Sequence, residues 1–147
     1  MEDNGAENSR DTREHLVVLK RNLLDAILRG DKTIECRLMK GRHAPFRKVG
    51  PGDTLFLKMS AGPVRGIARV AGVETLENLS SVKVRELERK YNDSILGPAD
   101  YWRTKRHSRY GVLIWLTDVH EVASRQIDKR DRAPWVVLSK ERCYGLL

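Results

Sequence analysis

The stretch ILRGDKTIECRL, residues 27–38, decides how the chain is built. Ahead of it, Leu23, Leu24, Ile27 and Leu28 recur at helical spacing behind Asn22, a residue type that caps helix N-termini. Gly30 sits where such a helix would end in a left-handed turn. Residues 33–38 then alternate, which places Thr33, Glu35 and Arg37 on one face of a strand and Ile34, Cys36 and Leu38 on the other. A helix hands over to a strand within a few residues, and the polar face of that strand carries both charges.

Outward from this switch the elements are short. Residues 16–19 form an apolar run suited to a buried strand. A basic loop, KGRHAPFRKVGPGD, fills residues 40–53, and its Pro51-Gly52-Asp53 turn precedes a strand over 54–59 that contains Lys58. A second turn at 60–63 leads into a strand over 64–73. Ser80 or Ser81 opens an amphipathic helix with Val84, Leu87 and Tyr91 on one face. Pro98 starts a short helix that reaches about Arg106. Further strands follow at 110–116, 120–122 and 135–138. Five to seven strands that do not alternate regularly with two or three helices predict an α+β fold, a small, twisted, partly closed mixed β-barrel decorated by helices.

Composition narrows the class. A chain of 147 residues fits one domain, and we expect it to span residues 14–147 behind a disordered acidic tail at 1–13. No apolar run approaches the ~18 residues of a transmembrane helix, and the N-terminus lacks a signal-peptide pattern. The expectation is a soluble, cytoplasmic protein without a membrane partner. The two cysteines, Cys36 and Cys143, cannot form a disulfide scaffold, and the four histidines show no metal-ligand spacing, so no metal or other cofactor is expected. Glycine-rich nucleotide fingerprints are absent. His107, Ser108 and His120 lack the surroundings of a catalytic triad.

Charge points to a polyanion. The chain carries +8 overall, yet residues 1–14 hold five acids against two arginines, which leaves +11 on the remainder. Tyr101-Trp102-Arg103-Thr104-Lys105-Arg106-His107-Ser108-Arg109-Tyr110 interleaves cations with aromatic rings, the combination that holds single-stranded nucleic acid. Arg103, Lys105, Arg106 and Arg109 suit phosphate contact, and Trp102 suits either base stacking or the core. The loop cations Lys40, Arg42 and Arg47 suit backbone phosphate, and Lys58 on the next strand and Thr33 on the face of Glu35 join the expected nucleic-acid contacts. Arg132, which Asp131 could orient, joins them, and Trp135 suits the core. On the strand face, Glu35 could accept from an exocyclic amine while Lys32 or Arg37 donates to a carbonyl or phosphate; an incidental ion pair on a solvated face fits the spacing equally well.

The run ILRGDKTIECRL followed by PGDTLFLK resembles the ASCH domain, a branch of the PUA-like barrels. The family's Gly-x-Lys-x-x-Glu-x-Arg signature is matched by Gly30, Lys32, Glu35 and Arg37, and its later Gly-Asp by Gly52 and Asp53. The resemblance spans residues 16–138 and implies a PUA-like barrel with a cleft that binds RNA or a nucleobase. Small members of the family are amidohydrolases of acetylated cytidine that use the signature lysine, a threonine three residues later and a distant glutamate. Lys32 matches the lysine, but Glu35 occupies the threonine position. The leading expectation is an RNA-binding domain whose basic cleft accepts a base. The alternative is a metal-independent hydrolase of a modified pyrimidine nucleoside, or a ribonuclease, with Lys32 and Glu35 as its working pair. A protein-interaction role is a third class.

Overall fold

The computed structural model describes residues 10–147. Its elements are β1 (Glu14–Leu19), α1 (Arg21–Arg29), β2 (Ile34–Met39), β3 (Thr54–Met59), β4 (Val64–Leu76), α2 (Ser81–Ile95), α3 (Ala99–Thr104), β5 (Tyr110–Arg125) and β6 (Trp135–Val137). The strands form one mixed sheet in the order β2-β5-β4-β3-β1-β6, parallel at β1–β3 and antiparallel at every other pairing. With three helices the architecture is α+β, a six-stranded sheet curled into a half-barrel.

The curl comes from the two longest strands. β4 and β5 pair over most of their lengths, with register shifts between Val64 and Gly66, Ile67 and Arg69, and Val70 and Gly72. Each shift bends the ribbon and raises its local twist. Where one strand from 110 and another from 120 were expected, β5 runs unbroken for 16 residues. Asp118 takes a positive φ of 48° at an exposed position within it, so the break in the apolar pattern marks an irregularity and not an end.

Two apolar layers flank the sheet. On one face α1 buries Leu24 and Ile27 against Val17, Leu55, Leu57, Val70, Val112 and Ile114. A Cβ on Gly66 would lie 2.8 Å from Leu28 Cδ2, so this helix rides directly over the strand backbone. On the other face Val84, Ile95 and Trp102 of α2 and α3 close over Ile34, Cys36, Leu38 and Leu113. Trp102 therefore belongs to the core, with its indole N–H donated to Asn92 Oδ1 at 3.0 Å. The short helix stops at Thr104, short of Arg106.

The handover at Gly30 has the expected form. α1 is preceded by Lys20, not capped by Asn22, and Gly30 ends it at φ 87° in the left-handed region. The amides of Asp31 and Lys32 both donate to Ala26 O, which reverses the chain into β2.

Of the expected N-terminal tail, residues 1–9 lie outside the described residues. Arg10 and Arg13 bond to the body. The Arg10 guanidinium donates to both oxygens of Asp53 at 3.0 and 2.9 Å, and the Arg13 amide donates to the same carboxylate at 2.9 Å. Among the described residues no helix is long and apolar enough to cross a membrane.

Candidate functional site

A cleft of about 580 Å³ opens where β2 meets the ends of several other elements. Residues 35–39 of β2 form one wall. Val18, Leu19 and Lys20 at the end of β1, Leu23 of α1, and loop residues 43–45 close one side. Ile95, Gly97 and Pro98 after α2, Tyr101 and Lys105 of the α3 region, and residues 133–135 ahead of β6 complete it. The volume lies within the range of small-molecule sites. Its lining includes four cations, Lys20, Lys32, Arg37 and Lys105, and one carboxylate, Glu35.

Three signature side chains meet here, and their bonds assign them different work. Lys32 is 3% exposed, and its ammonium donates to Ile34 O at 2.9 Å, Ile95 O at 2.5 Å and Glu35 Oε1 at 3.1 Å. Three bonds use all three of its protons. Ile95 ends α2, so the lysine satisfies a carbonyl that the helix leaves unpaired and places a cation at the negative end of its dipole. The Thr33 amide does the same for Ser94 O at 2.9 Å. Lys32 is thus a clasp between β2 and α2. The open donor expected of it is not there, because burial leaves its protons no choice but the protein's own oxygens.

Glu35 and Arg37 retain capacity. Glu35 is 6% exposed and takes one bond on each oxygen, from Lys32 on Oε1 and from Arg37 Nε on Oε2 at 2.6 Å. Burial pushes its carboxyl up, but the adjacent Lys32 and Arg37 outweigh this and hold it below its ordinary value. Arg37 also donates Nη2 to Val18 O at 3.0 Å and reaches Pro134 O with Nη1 at 3.5 Å. Two of its five N–H groups stay uncommitted. Its guanidinium lies over the Trp135 ring, 5.4 Å from the centroid, so it is a flat cation with a fixed orientation.

The wall beside this pair is inert. Cys36 is buried and its thiol is pushed up to about 12, chiefly by that burial, so it is no nucleophile at neutral pH. Tyr101 donates its hydroxyl to Cys36 O at 2.9 Å, and burial above all raises its phenol well beyond the ordinary value. Among the described residues no group of three His, Cys, Asp or Glu side chains stands close enough to hold a metal ion.

Most of the other expected residues lie elsewhere. Thr33 is exposed outside the cleft, because the strand begins one residue after it. Lys40, Arg42 and Arg47 are exposed and do not line the cleft; Arg42 lies over Tyr110, while Arg47 lies over Phe46 and pairs with Glu77 at 2.6 Å. The loop reaches the cleft through His43, Ala44 and Pro45 instead. Lys58 is nearly buried and donates to Met59 O at 3.1 Å; burial, with Lys129 nearby, lowers its ammonium. Arg103, paired with Asp100, and Arg106 line a separate hollow on α2 and α3, and Arg109 lines another. Lys105 alone of that basic run lines the cleft. Arg132 is exposed beside Ala133 and Pro134, which do line it. Trp135 is 4% exposed and serves both core and cleft.

Behind Trp135 runs a buried chain that spacing could not reveal. Its indole N–H donates to His15 Nδ1 at 2.9 Å, which leaves the ring proton on Nε2 to be donated to Asp53 Oδ2 at 2.8 Å. Both His15 and Asp53 are fully buried.

No protein-family model and no curated protein matches the sequence. Solved structures do match. The ASCH protein of Zymomonas mobilis superposes with a TM-score of 0.68 at 18% identity, covering 90% of this chain and 92% of that one. The fold is that of the ASCH domain. A serine-to-alanine variant of the Zymomonas protein gives the same values, and a tyrosine-to-phenylalanine variant gives a TM-score of 0.65 at 17% identity over 88% of this chain and 93% of that one. The likeness therefore extends over nearly the whole length of both chains, and Gly30, Lys32, Glu35 and Arg37 stand at the turn, the clasp and the cleft wall of this fold.

Proposed function

We propose that this protein binds single-stranded nucleic acid, RNA in the first instance, and that one base enters the cleft between β2 and Trp135. The observation that carries this reading is the Arg37 guanidinium, placed over the Trp135 ring in a cleft whose lining includes four cations and one carboxylate. Bases stack on arginine planes as well as on aromatic rings. The free lone pairs of Glu35 suit a base edge that presents an amine, and the two uncommitted N–H groups of Arg37, which point in the guanidinium plane, suit a flanking phosphate. Lys20 and Lys105 at the cleft, together with the +11 body, supply attraction for the flanking phosphates.

The hydrolytic alternative draws no support from the cleft. Lys32 has no proton to offer a developing anion, and Tyr101, the one hydroxyl side chain among the lining residues, is committed to a backbone carbonyl. Glu35 remains a carboxylate held by two cations, a poor base.

Fluorescence anisotropy with a labelled single-stranded RNA decamer, repeated across a salt series, tests the proposal. Arg37→Ala should weaken binding about tenfold, on the scale of one lost stacking contact. Lys105→Ala should flatten the salt slope by about 0.7, the value of one phosphate contact on a single strand. Equal affinity and slope in both variants would rule the reading out.

A further inference from the structure

The hydroxyl of Ser108 lies outside the cleft and is not explained by it. Ser108 is 2% exposed, yet its side chain has no hydrogen-bond partner among the described residues. A buried hydroxyl without a partner is costly, by about 1–3 kcal/mol, and native structures rarely retain one without reason. Ser108 lines a hollow of about 350 Å³ at the N-terminal end of α2, together with Asn78, Ser80, Ser81, His107 and Arg109.

Every feature of this hollow suits an anion. α2 spans 15 residues, long enough to present a full positive end, and has no acidic residue in its first turn to neutralise it. The Ser80 side chain already caps the Lys83 amide at 3.3 Å, whereas the amides of Ser81 and Val82 have no acceptor inside the helix. The backbone is firm, because the Leu79 amide donates to Arg109 O at 3.0 Å and the Arg109 amide to Met39 O at 3.0 Å. No carboxylate lines the hollow, and Arg109 makes no ion pair among the described residues. Beyond Ser81, a second hollow continues with Arg85, Arg103 and Arg106 around a single Glu88.

We propose that this hollow is a phosphoryl-binding site. The hydroxyls of Ser108 and Ser81, the free first-turn amides of α2 and the Arg109 guanidinium hold the oxygens of a phosphate monoester or diester. The site is separate from the cleft and does not depend on base binding there. Two sources share this chemistry: the backbone of a bound strand, and a free or terminal phosphate.

Amide NMR on the full chain tests it, with inorganic phosphate as one probe and an abasic oligodeoxyribose phosphate as the other, at matched ionic strength. Inorganic phosphate should produce saturable shifts confined to the amides of Ser81, Val82 and Ser108. Arg109→Ala, an exposed position, should weaken that binding at least tenfold with an unchanged melting temperature, and Ser108→Ala severalfold with a raised one, since it removes the unpartnered buried hydroxyl. Shifts of the same amides by the abasic strand, displaced by phosphate, would identify a strand backbone as the occupant. Saturation by phosphate without a response to the strand would identify a free or terminal phosphate. Non-saturating shifts spread over the basic surface, or full affinity in Arg109→Ala, would overturn the site.

Discussion

Two buried carboxylates, Asp53 and Glu35, each gather cations, yet they are built for opposite ends. Asp53 is fully enclosed and accepts five hydrogen bonds: two from Arg10, one each from the amides of Arg13 and Gly50, and one from His15. A carboxylate has about four lone-pair sites, so this one is saturated. Glu35 accepts from Lys32 and Arg37 alone and stands on the wall of a cleft. Saturation makes a strut, whereas spare capacity beside an opening suits the recognition surface we propose. Trp135 touches both, through its N–H to His15 and its ring face to Arg37.

The sharpest way to break this contrast is to remove each acid. Asp53→Ala strands a buried imidazole N–H, two amides and Arg10, and should cost about 3–5 kcal/mol of unfolding free energy. Denaturant titration measures it. Glu35→Gln keeps its shape but turns one acceptor into a donor facing a cation, and should cost about 2 kcal/mol. It should also abolish any preference among bases in the anisotropy assay, which Asp53 variants that still fold should retain. A larger stability loss at Glu35 than at Asp53 would reverse the assignment of strut and surface.

These two clusters also show which part of the molecule was legible in its sequence. The Gly30 stop, the Ser80 cap and the alternation of β2 are local, and each appears where its residues predict it. So does the half-barrel with its decorating helices. The bonds that define the site are not local. Lys32 reaches Ile95 across 63 positions and Trp135 reaches His15 across 120, so spacing could present Lys32 only as a polar residue at a strand edge. The basic run at 101–110 is dispersed by the fold. The short helix and the turn that follows it send Trp102 to the core, Lys105 to the cleft and Arg106 to another hollow. Cations adjacent in sequence need not share a face.

Acid offers a smaller test of the same contrast. The five donors around Asp53 outweigh its burial and hold its carboxyl at about 2, below the ordinary 3.8. A lowered acid stabilises the fold fully above its unfolded pKa and loses that contribution as pH falls through the folded one. The fold should therefore shed about 2 kcal/mol between pH 4 and pH 2 on this account. Burial above all also lowers His15, so protonation of the unfolded chain begins to erode stability below about pH 6.5. Unfolding titrations should show a gentle decline first and a steeper one near pH 3. In Asp53→Asn the steeper limb should shrink by that amount.

The smallest effect is the most informative about Trp135. Trp135→Phe keeps a ring under Arg37 and removes only the N–H donated to His15 Nδ1. A fully buried acceptor then loses its donor, which should cost about 1–2 kcal/mol in a thermal melt. RNA affinity should hold within about threefold, because Glu35 and Val18 O still orient the guanidinium. If affinity instead falls tenfold while the melt barely moves, the His15–Asp53 chain is setting the angle of the stacking wall. The strut and the surface would then be one device, in which the indole transmits to the cleft what Arg10 and Asp53 fix on the far side of β1.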